Sequence, residues 1–111
     1  MIGVGVVGYG YWGPNLVRNL ADITDARLVS VCDLMTDRLA PVKARYPTVD
    51  ITADFDEMLQ DPRIDAIAIA TPVSTHFRLA MMALMAGKHV FVEKPMAATT
   101  EEARRMVEEA A

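Results

Sequence analysis

The sequence predicts an α/β protein built on an open, doubly wound parallel sheet. Three observations carry this. Short β-branched runs alternate with longer amphipathic ones along all 111 residues, the rhythm of strand, helix, strand. The first run, Ile2 to Val7, is almost wholly apolar, as a central strand covered on both faces must be. Directly after it, "VVGYGYWGPN" sets Gly8, Gly10 and Gly13 at the spacing G-x-G-x-x-G where a strand passes into a helix.

The remaining elements follow in order. A helix from about Trp12 to Ala21 has Leu16, Val17 and Leu20 on one face, and Pro14 falls in its first turn, where a missing N–H costs little. Arg27 to Cys32 is the second strand. Thr36 to Arg45 reads as a helix in which Pro41 removes a backbone bond, so that it kinks or starts late. "VDIT" is a short third strand. "ADFDEMLQDP" supplies a turn or two of helix, capped at Asp54 or in the loop before it and ended by Pro62. Ala66 to Ala70 is the fourth strand, broken at Pro72. A helix capped by Ser74 or Thr75 then runs to Gly87, with Met81, Met82 and Met85 as an apolar stripe that suits core packing. "KHVFV" is the fifth strand, "EKPMAAT" a loop, and "TEEARRMVEEAA" a closing helix with a threonine cap and Glu101 and Glu102 in its first turn. About five strands in the order 3-2-1-4-5 result, without the sixth strand of a complete dinucleotide-binding sheet.

Composition excludes several function classes. With 52% hydrophobic and 23% charged residues the chain is too apolar for disorder. A net charge of −4 with no Lys/Arg cluster argues against nucleic acid. Its longest helical apolar run, "LAMMALMAG", stops at nine residues, short of a membrane span. No basic residue precedes Arg18, unlike an export signal. Cys32 is the single cysteine, a small buried filler consistent with a reducing, cytoplasmic setting. No metal-ligand spacing stands out.

The glycine pattern gains specificity from its context. Asp33 lies twenty positions after Gly13, at the end of the second strand, where such folds place the acid that reads the adenosine ribose. Gly8 permits the tight turn, Gly10 lets the backbone approach a pyrophosphate, and Gly13 lets the helix pack near the sheet. The free N–H groups at the helix start, around Tyr11 and Trp12, face the anion; their side chains either flank the cofactor or cover the sheet end. Asp33 accepts from ribose hydroxyls and repels a 2′-phosphate, which favours NAD over NADP, or it caps the following helix, roles that can coexist. Arg38 is near enough to tolerate the phosphate.

"GVVGYGYWGPNLVRNL", "ATPVSTH", "ALMAGKHVFVEKPMA" and "EEARRMVE" together resemble the N-terminal Rossmann domain of the Gfo/Idh/MocA oxidoreductases, the family of glucose-fructose oxidoreductase and inositol dehydrogenase. The likeness spans nearly the whole chain, and the wording around "GYGYWGPNLVRN" is similar to members acting on nucleotide-linked sugars. The resemblance implies a two-domain NAD(P)-dependent enzyme, homo-oligomeric at full length, that interconverts a sugar-type alcohol and ketone. Residues 1–111 are then its dinucleotide-binding domain, and the second domain is absent. Lys94, in Glu93-Lys94-Pro95, stands at cofactor and substrate in this reading, as a base if neutral or as a donor to the developing alkoxide if charged. The plain alternative for these three is a solvated acid and base before a rigid proline turn. Glu93 orients the loop and Pro95 fixes its direction. Thr71 and Pro72 line the nicotinamide side of the crevice, and His76 either faces ligand or makes local bonds at a helix start. The competing class is a stand-alone module that binds NAD(H) or senses redox state without chemistry.

Overall fold

The computed structural model describes residues 1–10, 13–92, 97 and 99–110. Five parallel strands, β1 (Ile2–Val7), β2 (Ala26–Cys32), β3 (Asp50–Thr52), β4 (Ala66–Ile69) and β5 (His89–Val92), lie in the order β3-β2-β1-β4-β5. The helices are α1 (Gly13–Asp22), α2 (Leu39–Arg45), α3 (Phe55–Leu59), α4 (His76–Met85) and α5 (Thr100–Ala110). The chain order reverses its direction of travel between β1 and β4, so the loops after β1, β2 and β4 meet at one end.

Two apolar cores sandwich the sheet. On one face Val4, Val6, Leu28 and Val31 meet Val17 of α1 and Leu39 and Val42 of α2. On the other, Val7, Ile67 and Ile69 meet Met58 of α3, Leu79, Ala80 and Ala83 of α4, and Met106 of α5. The side chains of β1 alternate between the two as a pleated strand requires. In β2 the alternation slips: Val4 pairs with Leu28 but Gly5 with Ser30. This bulge adds one residue to β2 and resets its parity, so that Val31 faces the first core and Cys32 the second. Without it the strand end, and Asp33 after it, would present opposite faces.

Several local expectations need correction. The segment Thr36–Arg45 is not helical from Thr36, and of the kink or late start expected at Pro41 the late start is found: Thr36–Arg38 form a 3₁₀ turn and α2 begins at Leu39, which brings Pro41 into its first turn, where its absent N–H is harmless. Neither Ser74 nor Thr75 caps α4. A 3₁₀ turn, Val73–Thr75, leads into it, and the Thr75 hydroxyl donates back to the Pro72 carbonyl at 2.7 Å. The methionine stripe is not the core face of α4. Leu79, Ala80 and Ala83 are buried, Met81 only packs at the edge, and Met85 is 73% exposed. The helix is apolar nearly all round, so composition alone does not fix its inward face. The α5 cap is Thr99, whose Oγ1 accepts from the Glu102 N–H at 3.1 Å. Asp54 does cap α3, accepting from Asp56 N–H at 3.0 Å, and Gly87 ends α4 with φ +81°.

Candidate functional site

The carboxyl ends of β1, β2 and β4 hold the glycine loop, Asp33 and the Thr71–Thr75 segment. The ladder itself ties them down: Gly8 N–H donates to the Cys32 carbonyl at 2.7 Å, Asp33 N–H to Thr52 at 3.1 Å, and Ala70 N–H to Val7 at 2.8 Å. Gly8 turns the chain out of β1 at φ +98°, a conformation in which an L side chain is strained. A Cβ there would also sit 2.8 Å from the Ala70 carbonyl carbon and from Thr71 Cγ2, so this glycine lets two loops touch. Gly13 opens α1 with its Cα against the Gly8 carbonyl oxygen, where a Cβ would collide. At Gly10 a Cβ would come within 3.1 Å of the Arg38 guanidinium, the mobile end of a long side chain, and Gly10 lines the cleft beside it.

Asp33 is 7% exposed and organises the loops around it. Its Oδ2 accepts from the Tyr9 N–H at 2.7 Å, inside the glycine loop, and its Oδ1 accepts from the Met35 N–H at 2.8 Å. Arg38 stands 3.5 Å from Oδ2. The helix cap expected of this acid is not made, since neither the 3₁₀ turn at Thr36 nor α2 has a side-chain cap; Asp33 instead closes the turn at Met35 and holds the glycine loop through Tyr9.

A cavity of about 470 Å³ opens between these loops, within the range of small-molecule sites. Gly8, Gly10 and Asp33 form one wall with Leu34 and Arg38. Thr71, Pro72 and Thr75 form the facing wall, with Arg78 and Leu79 from α4, while Ala53 and Phe55 close the side after β3. Leu34, 84% exposed, and Pro72 present flat apolar surface across it. Cys32 lies at the base; burial, reinforced by the neighbouring Asp33 charge, pushes its thiol up to about 11, so it is a neutral filler and no nucleophile at physiological pH.

Of the residues expected at the site, Gly8, Gly10, Asp33, Thr71 and Pro72 come together in this one cavity. Thr71 and Pro72 line the same cavity as Asp33. His76 is 4% exposed and does not line the cavity. Its Nε2 donates to the Thr71 carbonyl at 2.8 Å, and Thr71 and Thr75 share a 2.6 Å hydroxyl contact, so His76 stands behind the wall and holds its shape. Tyr11, Trp12, Glu93, Lys94 and Pro95 lie outside the described residues. Sequence reasoning missed Leu34, Ala53, Phe55, Thr75, Arg78 and Leu79. Each follows the carboxyl end of β2, β3 or β4, so the rule that doubly wound sheets bind ligands at that end points to them. Among the described residues no group of three potential metal ligands occurs and no helix is long and apolar enough to cross a membrane.

The glycine loop, the acid after β2 and the apolar slot fit the adenosine end of a dinucleotide, and the comparisons agree. Residues 2–111 match the GFO/IDH/MocA model, described as an oxidoreductase family with an NAD-binding Rossmann fold. The chain is 38% identical over 101 residues to scyllo-inositol 2-dehydrogenase (NADP(+)) IolW of Bacillus subtilis, covering 91% of this chain and 28% of that protein. Among solved structures, GenD2 from gentamicin A biosynthesis in complex with NAD superposes with a TM-score of 0.93 at 31% identity, over 98% of this chain and 31% of that one. The WlbA dehydrogenase of Bordetella pertussis, in complex with NADH and UDP-GlcNAcA, superposes with a TM-score of 0.90 at 34% identity, over 98% and 33%. The chain thus spans less than a third of these relatives.

Proposed function

This chain belongs to the GFO/IDH/MocA oxidoreductases with an NAD-binding Rossmann fold, and from that premise we propose that it is the dinucleotide-binding domain of a longer, two-domain NAD(P)-dependent enzyme. The enzyme moves hydride between the nicotinamide and a secondary alcohol or ketone of a sugar-type or cyclitol substrate. The observation that carries the reading is the cavity in which Gly8, Gly10 and Asp33 face Thr71 and Pro72. An inositol, as in the name of one relative, or a nucleotide-linked sugar, as bound in the WlbA complex, is the finer choice, and the likeness to WlbA supports the second. A cytoplasmic homo-oligomer, without nucleic-acid or membrane partners, completes the reading.

The roles follow from chemistry. Backbone N–H groups of the loop from Gly8 through Gly13, with Tyr11 and Trp12 at the helix start, hold the pyrophosphate. Asp33 accepts from the adenosine ribose, while Leu34 and Pro72 sandwich the adenine, a ring whose burial between apolar faces needs no charge. His76 positions Thr71. A bound nicotinamide supplies the hydride acceptor or donor. Lys94 manages the hydroxyl proton: its neutral amine takes the proton during alcohol oxidation, and its ammonium returns it in the reverse direction. Glu93 and Pro95 set the direction of the loop that carries it.

The full-length enzyme tests this. Lys94→Ala is expected to lower kcat by about 10²–10⁴-fold, the range for loss of a positioned acid–base group, with NADH affinity changed by less than about threefold, a factor worth under 1 kcal/mol. Unchanged turnover in the variant removes Lys94 from the chemistry. A wild-type chain that binds no dinucleotide removes the whole assignment.

A further inference from the structure

Among the described residues three charged side chains line the cavity: Asp33, Arg38 and Arg78. A carboxylate offers about four lone-pair positions. The Tyr9 N–H occupies one on Oδ2 at 2.7 Å, Arg38 the other at 3.5 Å, and the Met35 N–H one on Oδ1 at 2.8 Å. A single position, on Oδ1, is left for a ribose hydroxyl, half of what a bidentate ribose-binding acid requires. The Arg38 guanidinium also offsets the charge by which Asp33 would repel a phosphate. Across the cavity Arg78, the third residue of α4, is exposed and makes no ion pair or hydrogen bond to any described residue. The described lining of the cavity therefore carries one positive charge in excess, and its uncommitted donors belong to an arginine, the side chain best shaped to fork onto phosphate oxygens.

We infer that the adenosine end accepts a 2′-phosphorylated ribose as well as a plain one, and that Arg78 sets the balance between NADPH and NADH. The inference rests on the dinucleotide-binding reading above. A 2′-phosphate brings close to two negative charges. It meets Arg78 directly and Arg38 at the edge of its pairing with Asp33, while plain ribose meets only the remaining lone pair of Asp33. An arginine that merely stacked on adenine would serve both dinucleotides equally.

The test is a fluorescence titration of the chain with NADH and with NADPH, repeated for Arg78→Gln and Arg78→Lys. Wild-type dissociation constants within about threefold of each other are expected, since one residual acceptor opposes one uncommitted cation. Arg78→Gln is expected to weaken NADPH by about tenfold and NADH by less than about threefold, the loss of one charge-assisted contact. Arg78→Lys restores part of the NADPH affinity, and raising salt weakens NADPH more steeply than NADH. Arg78 is solvent-exposed, so circular dichroism and melting temperature stay unchanged. NADH binding with equal losses of both dinucleotides in Arg78→Gln overturns the inference, as does tight NADH binding with none for NADPH; both results leave the dinucleotide reading intact. Failure to bind either one overturns both together.

Discussion

Asp33→Ala is expected to destabilise the chain before any ligand is added. The carboxylate accepts two backbone N–H groups, from Tyr9 at 2.7 Å and Met35 at 2.8 Å, at a position only 7% exposed. A hydrogen bond to a charged group contributes about 1.5–3 kcal/mol, and a donor left unpaired in a buried place costs about 1–3 kcal/mol. Water entering from the cavity recovers part of this, so the loss for both bonds is about 2–4 kcal/mol. For a chain of roughly 100 residues 1 kcal/mol moves the midpoint by roughly 4–8 °C, which places the variant roughly 8–32 °C lower. Thermal and urea unfolding without dinucleotide measure it. A variant within about 0.5 kcal/mol of wild type, the range of an inert surface change, would refute the claim that Asp33 ties the glycine loop to the end of β2. NADH affinity in Asp33→Ala then reports loop order as well as ribose contact. The ribose term alone is read from the ratio of NADH to a 2′-deoxy-adenosine analogue on the wild-type chain.

Gly13→Ala sets a Cβ against the Gly8 carbonyl and must push α1 off the loop; NADH titration should show at least about tenfold weaker binding, as expected for misplaced anion-binding amides. Hydrogen bonding from Arg63 holds the Asp61 carboxyl down to about 2 from 3.8. A lowered folded value stabilises above the unfolded one and loses that stabilisation as pH falls between the two. The stability difference between wild type and Asp61→Asn is therefore level above about pH 5 and shrinks toward pH 2 in urea titrations; a difference independent of pH rejects the pairing. In α4 and α5 the methionines should separate by burial. Met85→Ala, at 73% exposure, should leave the melt nearly unchanged, whereas Met106→Ala, at 2%, should cost about 2–5 kcal/mol.

The sheet was legible because its signals are local and redundant. The apolar run of β1, the glycines after it and the acid after β2 each restrict the chain in the same direction, and Pro41, Pro62 and Gly87 mark boundaries by covalent geometry that tertiary packing does not override. What stayed hidden depends on partners far away in sequence. The bulge at Val29 and Ser30 has no glycine or proline signature; it exists because β1 and β2 must both bury alternate residues against two cores. The inward face of α4 is equally silent, since small Ala80 and Ala83 were needed where the helix lies close to the sheet and the larger methionines were not. For Arg78 the carboxyl-end rule gives only the region: that this one side chain of the apolar α4 lines the cavity depends on β4 lying beside β1, which brings its loop to the glycine turn. Lys88, within the stretch "ALMAGKHVFVEKPMA", shows the converse. Its Nζ donates to the Asp61 and Ile64 carbonyls at 2.9 and 2.6 Å, at the amino ends of the strands, where it braces the sheet away from the cavity that holds Asp33.

The two walls of the cleft are not independent. Asp33 holds the glycine loop from the β2 side through Tyr9, and on the other side Gly8 lies against the Ala70 carbonyl and the Thr71 methyl. Thr71 in turn is fixed by His76 and by the hydroxyl of Thr75. A movement of either wall is therefore felt at Gly8, which meets both and which no L side chain replaces without strain at φ +98°. Binding at such a site needs little ordering of these walls, and the entropy cost of assembling them is met during folding. The same coupling means that substitutions at Asp33, Gly8 or His76 alter the whole cleft at once. Specificity is then adjustable only at positions that face the cavity without holding it together, and among the charged side chains described there Arg78 alone satisfies that condition.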